Sequence, residues 1–273
     1  MTRVGDRAAR PAGYRRGMRR FVGWCSALLL VAALAQAGEK KRVFMGKVDV
    51  AGVTISTEQQ AVTAVESQLR GTGPWSEKED QTSADGLGRA LSAAGPWLPV
   101  FARTLAAHLE DPNVEQRTLA VFLLDRVAKE VGAAPMLTAL ERSPALFDGV
   151  KPVGHPTNQP DLRWSMLMAL GSAVTPKDTA ALAVLRKAAH EPRGSWLLGA
   201  LGRVDSVWLL AHAREVVPKT ALGGALRAMP DTKARLALIH ALAPWTADEK
   251  HAALSAPFWG LLDDASQVRA ALE

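Results

Sequence analysis

Few side chains in this sequence are typed and spaced for chemistry. Six histidines stand at positions 108, 155, 190, 212, 240 and 251. A helical metal site favours ligands one turn apart, at i and i+3 or i+4. No two of these histidines have that spacing, so no metal centre is predicted and the imidazoles are read as polar helix faces and helix ends. His190-Glu191 and His251 can meet further ligands only through the fold. The carboxylate pairs Glu110-Asp111 and Asp263-Asp264 fall at ends of expected helices, where an acid caps the next helix, and are not read as a general acid–base pair. Ser195 has no sequence neighbour that would activate it as a nucleophile. Neither H-E-x-x-H, G-x-S-x-G, a Walker-type loop nor C-x-x-C occurs. Gly86-Leu87-Gly88 lacks the third glycine and the preceding strand of a phosphate loop. No catalytic, cofactor-binding or metal-ligating residue is therefore predicted, and no cofactor.

Tryptophans are the other informative side chains. Five follow residue 160, at 164, 196, 208, 245 and 259. An indole can fill a gap between helices or anchor a partner. Trp208, beside Val207, Leu209 and Leu210, reads as core. Trp245 and Trp259 lie at expected turns and are the residues offered as partner contacts.

The elements that must position these side chains read as helices. Ala and Leu are abundant, and alternating β-formers are scarce. The exception is Val48, Val50, Val53 and Ile55 around Gly52, which predicts a short β-element. Ser56 and Thr57 offer N-caps, with Gln59 and Gln60 at capping-box spacing, for a helix from about 58 to 70 that Gly71 ends. Residues 71–85 read as a loop or linker. Pro96 and Pro99 open a helix through Phe101, Leu105 and Leu109. Asn113 caps a longer one stopped by Gly132, and a further run covers 134–143. After a Gly/Pro-rich loop at 148–160, helical segments recur at about 161–173, 177–190, 194–203, 205–215, 218–228, 231–243, 246–254 and 257–263. Their short links make neighbours antiparallel hairpins.

The first 37 residues stand apart. Arg19-Arg20 precede the 14-residue uncharged run Phe21–Leu34, then Ala35-Gln36-Ala37 and Gly38. A positive n-region, an apolar h-region and a small-x-small site are the order of a secretory signal peptide. The run is shorter than the ~20 residues a spanning helix needs. Cleavage is expected between Ala37 and Gly38, with Ala35 and Ala37 as its small residues. Residues 1–17 do not resemble the start of a signal, and a start at Met18 would give a compact leader. The sequence thus divides into a leader (1–37), an N-terminal segment and linker (38–85) and a helical domain (86–273). The leader carries seven of the 33 basic residues and one of the 27 acidic ones, which leaves 26 of each. A balanced chain lacks the basic field that nucleic-acid binding requires, so no nucleic acid is predicted. Contact with the membrane is expected only in transit, through the leader. The only cysteine, Cys25, also lies in the leader, so the mature domain must rely on apolar burial.

The spacing hints at repetition. Met-Ala-Leu-Gly at 168–171 is echoed by Gly-Ala-Leu-Gly at 199–202, and more loosely by Gly-Ala-Leu-Arg at 224–227 and His-Ala-Leu-Ala at 240–243. With Asp111-Pro112-x-Val114-x-x-Arg117-x-x-Ala120 and the partial matches at Pro160–Arg163, Asp231–Ala237 and Asp264–Ala271, residues 97–273 resemble the HEAT family, particularly its bilin-lyase-like variety. The resemblance implies an all-α antiparallel helix-pair array, an α-solenoid. It also implies that Asp111, Arg117, Asp231 and Arg235 tie neighbouring units together. In such an array each helix pair buries its apolar face against the next. The expected function is an exported, noncatalytic interaction or scaffold module, periplasmic or extracellular, with a protein or peptide partner. The alternative is a small envelope hydrolase whose site is assembled from several helices, which would require His190, His212, His240 or His251 to converge with an acid.

Overall fold

The computed structural model describes residues 47–74, 83–152, 161–250 and 272. The expected leader, with the expected cleavage residues Ala35, Ala37 and Gly38, lies outside the described residues, as do His155, His251, Trp259 and the expected helix at 257–263.

The predicted β-element is a hairpin. Strands β1 (Val48–Val50) and β2 (Val53–Ile55) pair antiparallel, with Val48 opposite Ile55 and Val50 opposite Val53. Ala51 and Gly52 link them, both with positive φ (49° and 86°), as a two-residue hairpin turn of right-handed twist requires. Asp49 Oδ1 accepts the Gly52 N–H at 2.7 Å. Val50 and Ile55 are fully buried. Helix α1 (Glu58–Leu69) follows, capped by the Thr57 hydroxyl. Gln60 reaches back to the N–H of Ser56 at 3.0 Å, one residue further than in an ordinary capping box.

The remainder is helical. Helices α2 (Ser83–Ala93), α3 (Leu98–Ala107), α4 (Val114–Val127), α5 (Ala134–Arg142) and α6 (Leu162–Ala173) are followed by α7 (Thr179–Ala189), α8 (Leu198–Val204), α9 (Ser206–Ala211), α10 (Ala213–Val216), α11 (Leu222–Ala228) and α12 (Thr232–Ala241). The fold among the described residues is all-α with one two-stranded sheet. Several N-termini are fixed as their sequences require. Asn113 Oδ1 accepts from the N–H groups of Glu115 and Gln116, Asp161 caps α6 and Asp231 caps α12. One expected helix is not continuous: the segment at 205–215 divides into α9 and α10 at His212, whose φ and ψ of −111° and 12° leave the helical region.

The described residues belong to one unit. The segment before residue 86 is part of its packing: α1 lies on α3 and α4, and the hairpin touches α1 and α2. Helix α4 packs against α6, α6 meets α8, and α8 packs on α11, while α9 and α10 meet α12. Phe101, Leu105, Leu124, Met136, Phe147, Leu162, Met166 and Leu170 are each fully buried, and each large apolar side chain so buried is worth about 1.5–3 kcal/mol. The echoed glycines sit where two helices approach closely. A Cβ at Gly171 would lie 2.8 Å from the Ala200 methyl, and one at Gly202 would lie 2.8 Å from the Ala228 methyl.

Arg117 and Asp111 meet locally, whereas Arg235 links two helices. Arg117, buried on α4, donates to the carbonyl oxygen of Asp111, so the two meet within one helix corner. The Asp111 carboxylate instead accepts the Asn113 N–H at 2.8 Å and lies 2.9 Å from His108 Nδ1. Burial lowers the pKa of Arg117, and the nearby charge of Asp111 opposes that shift. Arginines from other helices reach carbonyls in last turns: Arg203 to Gly171 O at 2.7 Å, Arg214 to Ala241 O at 2.9 Å and Arg235 to Leu226 O at 3.2 Å. Helix ends leave carbonyls short of intrahelical donors, so a cation there adds a hydrogen bond and complements the macrodipole; Leu226 O also accepts the Met229 N–H at 3.2 Å. Among the described residues no helix is long and apolar enough to cross a membrane.

Candidate functional site

The C-terminal end of α7 gathers the side chains most able to meet a ligand. The helix ends at Ala189 with Arg186 and Lys187 in its last turn and His190 as its C-cap. Arg186 Nε donates to Asp205 Oδ2 at 2.7 Å, and Nη2 lies 2.5 Å from the same oxygen. Asp205 joins α8 to α9 and leaves the α9 cap without a side-chain bond, because its carboxylate is taken by the arginine. This partly buried pair aligns α9 with α7, so that Trp208 stands under the Arg186 guanidinium at 5.9 Å.

Trp208 then organises two imidazoles. His212 stacks on the indole, with centroids 4.6 Å apart and planes 19° from parallel. His212 Nδ1 lies 2.9 Å from the Trp208 carbonyl oxygen, and a carbonyl only accepts, so Nδ1 carries a proton. The same carbonyl accepts the His212 N–H at 3.1 Å. Both contacts hold His212 at the α9–α10 break. His190 meets the Trp208 ring edge-on at 5.9 Å and lies 6.3 Å from His212. Its Nδ1 is 3.7 Å from Glu215 Oε2.

The adjacent turn, Gly194–Leu197, is a 3-10 helix. It carries Trp196, 43 % exposed, with the Arg193 guanidinium 5.5 Å from its ring centroid. Gly194 is forced by space, because a Cβ there would sit 1.9 Å from the Ala189 carbonyl oxygen. On the other side of His190, Glu191 makes two 2.7 Å bonds to Arg163, which also lies 3.3 Å from Asp148. The hydrogen bond to Glu191 raises the Arg163 pKa despite its partial burial, so the guanidinium stays charged.

The structure therefore brings together His190 and His212, which the sequence spacing separates, and joins Glu215 to them. His108 pairs with Asp111 elsewhere, and His240 is exposed on α12. Glu110 bonds Arg142 and Ser143. Trp245 is half-buried, donating Nε1–H to Ile239 O at 3.1 Å with Lys219 Nζ 4.8 Å from its ring. Trp208, read from sequence as core, is half-buried. Trp196 was not singled out by the sequence, although the Pro192-Arg193-Gly194 run before it signals a turn where a large ring has little to pack under. Among the described residues no group of three or more His, Cys, Asp or Glu is placed to hold a metal ion. No family model matches the chain, and neither does any curated protein or solved structure at a significant level.

Proposed function

We propose that this chain is an exported interaction module, periplasmic or extracellular, whose helix pairs stack as a HEAT-like solenoid and present a surface to a protein or peptide partner. The observation that carries the reading is Trp196, an exposed indole held beside Arg193 on a turn that Gly194 and the end of α7 fix in place. Trp and Arg are the residue types that most often dominate binding energy at interfaces, and a rigid turn presents them with little ordering cost. The stack α4–α6–α8–α11, with its glycine–alanine close approaches, supports the solenoid part of the reading. The leader pattern supports export.

The test is a photo-crosslinking amino acid placed at position 196 and, as a control, at exposed Lys151, in the chain expressed in its native host. One stoichiometric adduct at 196 and none at 151, on a protein whose intact mass begins at Gly38, is the expected result. Equal adducts at both positions would count against this surface, and a mass retaining residues 19–37 would count against cleavage.

A second reading is favoured by one observation, the approach of His190, His212 and Glu215. In a hydrolase, His190 oriented by Glu215 would act as a general base toward water. The interaction reading stands first because both imidazoles are engaged in ring contacts with Trp208, which use them as packing. Ester and peptide substrate screens with the parent and with His190→Gln separate the two. Turnover lost in the variant would establish the enzyme.

A further inference from the structure

The charges of the described structure are unevenly used. Residues 161–250 hold twelve Lys and Arg against eight Asp and Glu. Every one of those acids except Asp248 is engaged locally. Asp161 and Asp231 cap helices; Asp178 accepts from Thr175; Glu191, Asp205, Glu215 and Glu249 face Arg163, Arg186, His190 and Lys219. The cations are not used up to match. The exposed side chains of Lys177, Lys187, Arg193, Arg227 and Lys233 make no hydrogen bond or ion pair with the described residues. A chain formally neutral beyond its leader thus presents unspent positive charge in this part.

Two of those cations, Lys187 and Arg193, flank His190 in sequence, and one carries a preformed geometry. Lys187 has an ordinary account, since it stands in the last turn of α7, where the helix dipole favours a cation. Arg193 does not, because it lies beyond the end of α7 and, among the described residues, its guanidinium has no polar partner and only the Trp196 ring within cation–π distance. With its guanidinium carbon 5.5 Å from the indole centroid and no side-chain hydrogen-bond partner among the described residues, Arg193 keeps N–H groups that match a carboxylate bidentately. Beside it Trp196 is one of two large apolar side chains exposed among the described residues, the other being Val207.

We infer that the Arg193–Trp196 turn docks an acidic segment of a partner protein, Arg193 taking a carboxylate and Trp196 covering an apolar side chain next to it. The inference rests on the interaction reading above and names the chemistry of its partner. A nucleic acid fits less well. Its backbone needs a continuous basic field, whereas Glu191, Asp205 and Glu215 intervene along the same stretch of chain.

The experiment is calorimetric titration of the exported chain, beginning at Gly38, with two synthetic dodecapeptides. One is rich in Glu and Asp with one Leu and one Phe; the other has every acid replaced by its amide. The acidic peptide is expected to bind saturably, at least about tenfold more tightly than the amide peptide, and to weaken as salt rises from about 50 to about 300 mM. Arg193→Glu should weaken binding about tenfold or more and Trp196→Ala comparably, while Arg193→Lys, which keeps charge and loses the fork, should fall between. Both positions are exposed, and unchanged circular dichroism would show that the variants fold. Equal affinity for both peptides, no saturable binding of the acidic one, or binding indifferent to Arg193→Glu would overturn the inference. Tighter binding of a short DNA duplex would also overturn it, in favour of a general polyanion surface. If the amide peptide binds as well as the acidic one and depends on Trp196, the interaction module stands and only the acidic partner falls.

Discussion

Exchanging a methyl group across the α6–α8 contact tests the stacking of this fold directly. A Cβ built on Gly171 meets the Ala200 Cβ at 2.8 Å, whereas carbon atoms rest at about 3.5–4.0 Å. Gly171→Ala therefore forces the helices apart by up to about 1 Å, and overpacking of that kind costs about 1–3 kcal/mol. Replacing glycine by alanine inside a helix also returns about 1 kcal/mol of backbone preference, so the single variant should lose between about 0 and 2 kcal/mol. Ala200→Gly alone should lose about 1 kcal/mol for the opposite reason. The double variant moves the methyl from one helix to the other. Its propensity terms cancel, the clash is gone, and it should fall near the parent. Denaturant melts followed by tryptophan fluorescence give all four stabilities. The cycle isolates a favourable coupling of about 1–3 kcal/mol. Additivity within about 0.5 kcal/mol would mean that Gly171 and Ala200 do not touch, and the α6–α8 packing described above would be wrong. The second contact supplies a contrast. A Cβ at Gly202 also meets the backbone carbon and oxygen of Ala228 at 3.3 and 3.5 Å, so Ala228→Gly should rescue Gly202→Ala only in part.

Gly199, on the same helix α8 with open space around it, should become about 0.5–1 kcal/mol more stable as alanine; destabilisation would show a contact that the geometry lacks. At the hairpin, Gly52→Val should cost about 1–2 kcal/mol despite empty surroundings, because φ is 86° there, and a neutral result in thermal melts would refute the turn geometry. Arg186→Met should lower stability by about 1–2 kcal/mol by leaving the Asp205 carboxylate, which is 13 % exposed, without its partner, and the change in Trp208 emission should accompany it. The Lys219 hydrogen bond holds the Glu249 carboxyl below the usual glutamate range. Its contribution to stability is thus present above the unfolded-state pKa and disappears as pH falls through the folded-state value. Parent and Glu249→Gln melts should differ at about pH 7 and converge toward about pH 3, whereas a gap that persists in acid would exclude this linkage.

Much of the secondary structure was legible because its causes are local. Thr57, Asn113, Asp161 and Asp231 cap helices where their side chains reach a free N–H two or three residues on, and Gly71 and Gly132, both with positive φ, stand past helix ends. The valines at 48, 50 and 53 with Ile55 specify strands, and Ala51-Gly52 supplies the turn. The break at His212 was not legible, because the 205–215 pattern is helical throughout and the imidazole interrupts it only when stacked on Trp208. The partner of Arg117 was not legible either: its guanidinium meets the carbonyl oxygen of Asp111 and not a neighbouring unit. Such partners are backbone oxygens at helix ends, as for Arg203 at Gly171 and Arg214 at Ala241, and no side-chain pattern in the sequence marks them.

Alone, the sequence determines helix type, helix ends, the hairpin, the balanced charge beyond residue 37 and the shortage of catalytic motifs, since each depends on composition or on neighbours within a turn. The tertiary structure decides the rest. It sets His190 near Trp208, His212 and Glu215, commits Asp205 to Arg186, and leaves Trp196 and Arg193 facing outward. Those outcomes depend on which helix faces meet, and that choice is made by burial and close packing across residues about 18 to 32 positions apart, beyond the reach of any local pattern.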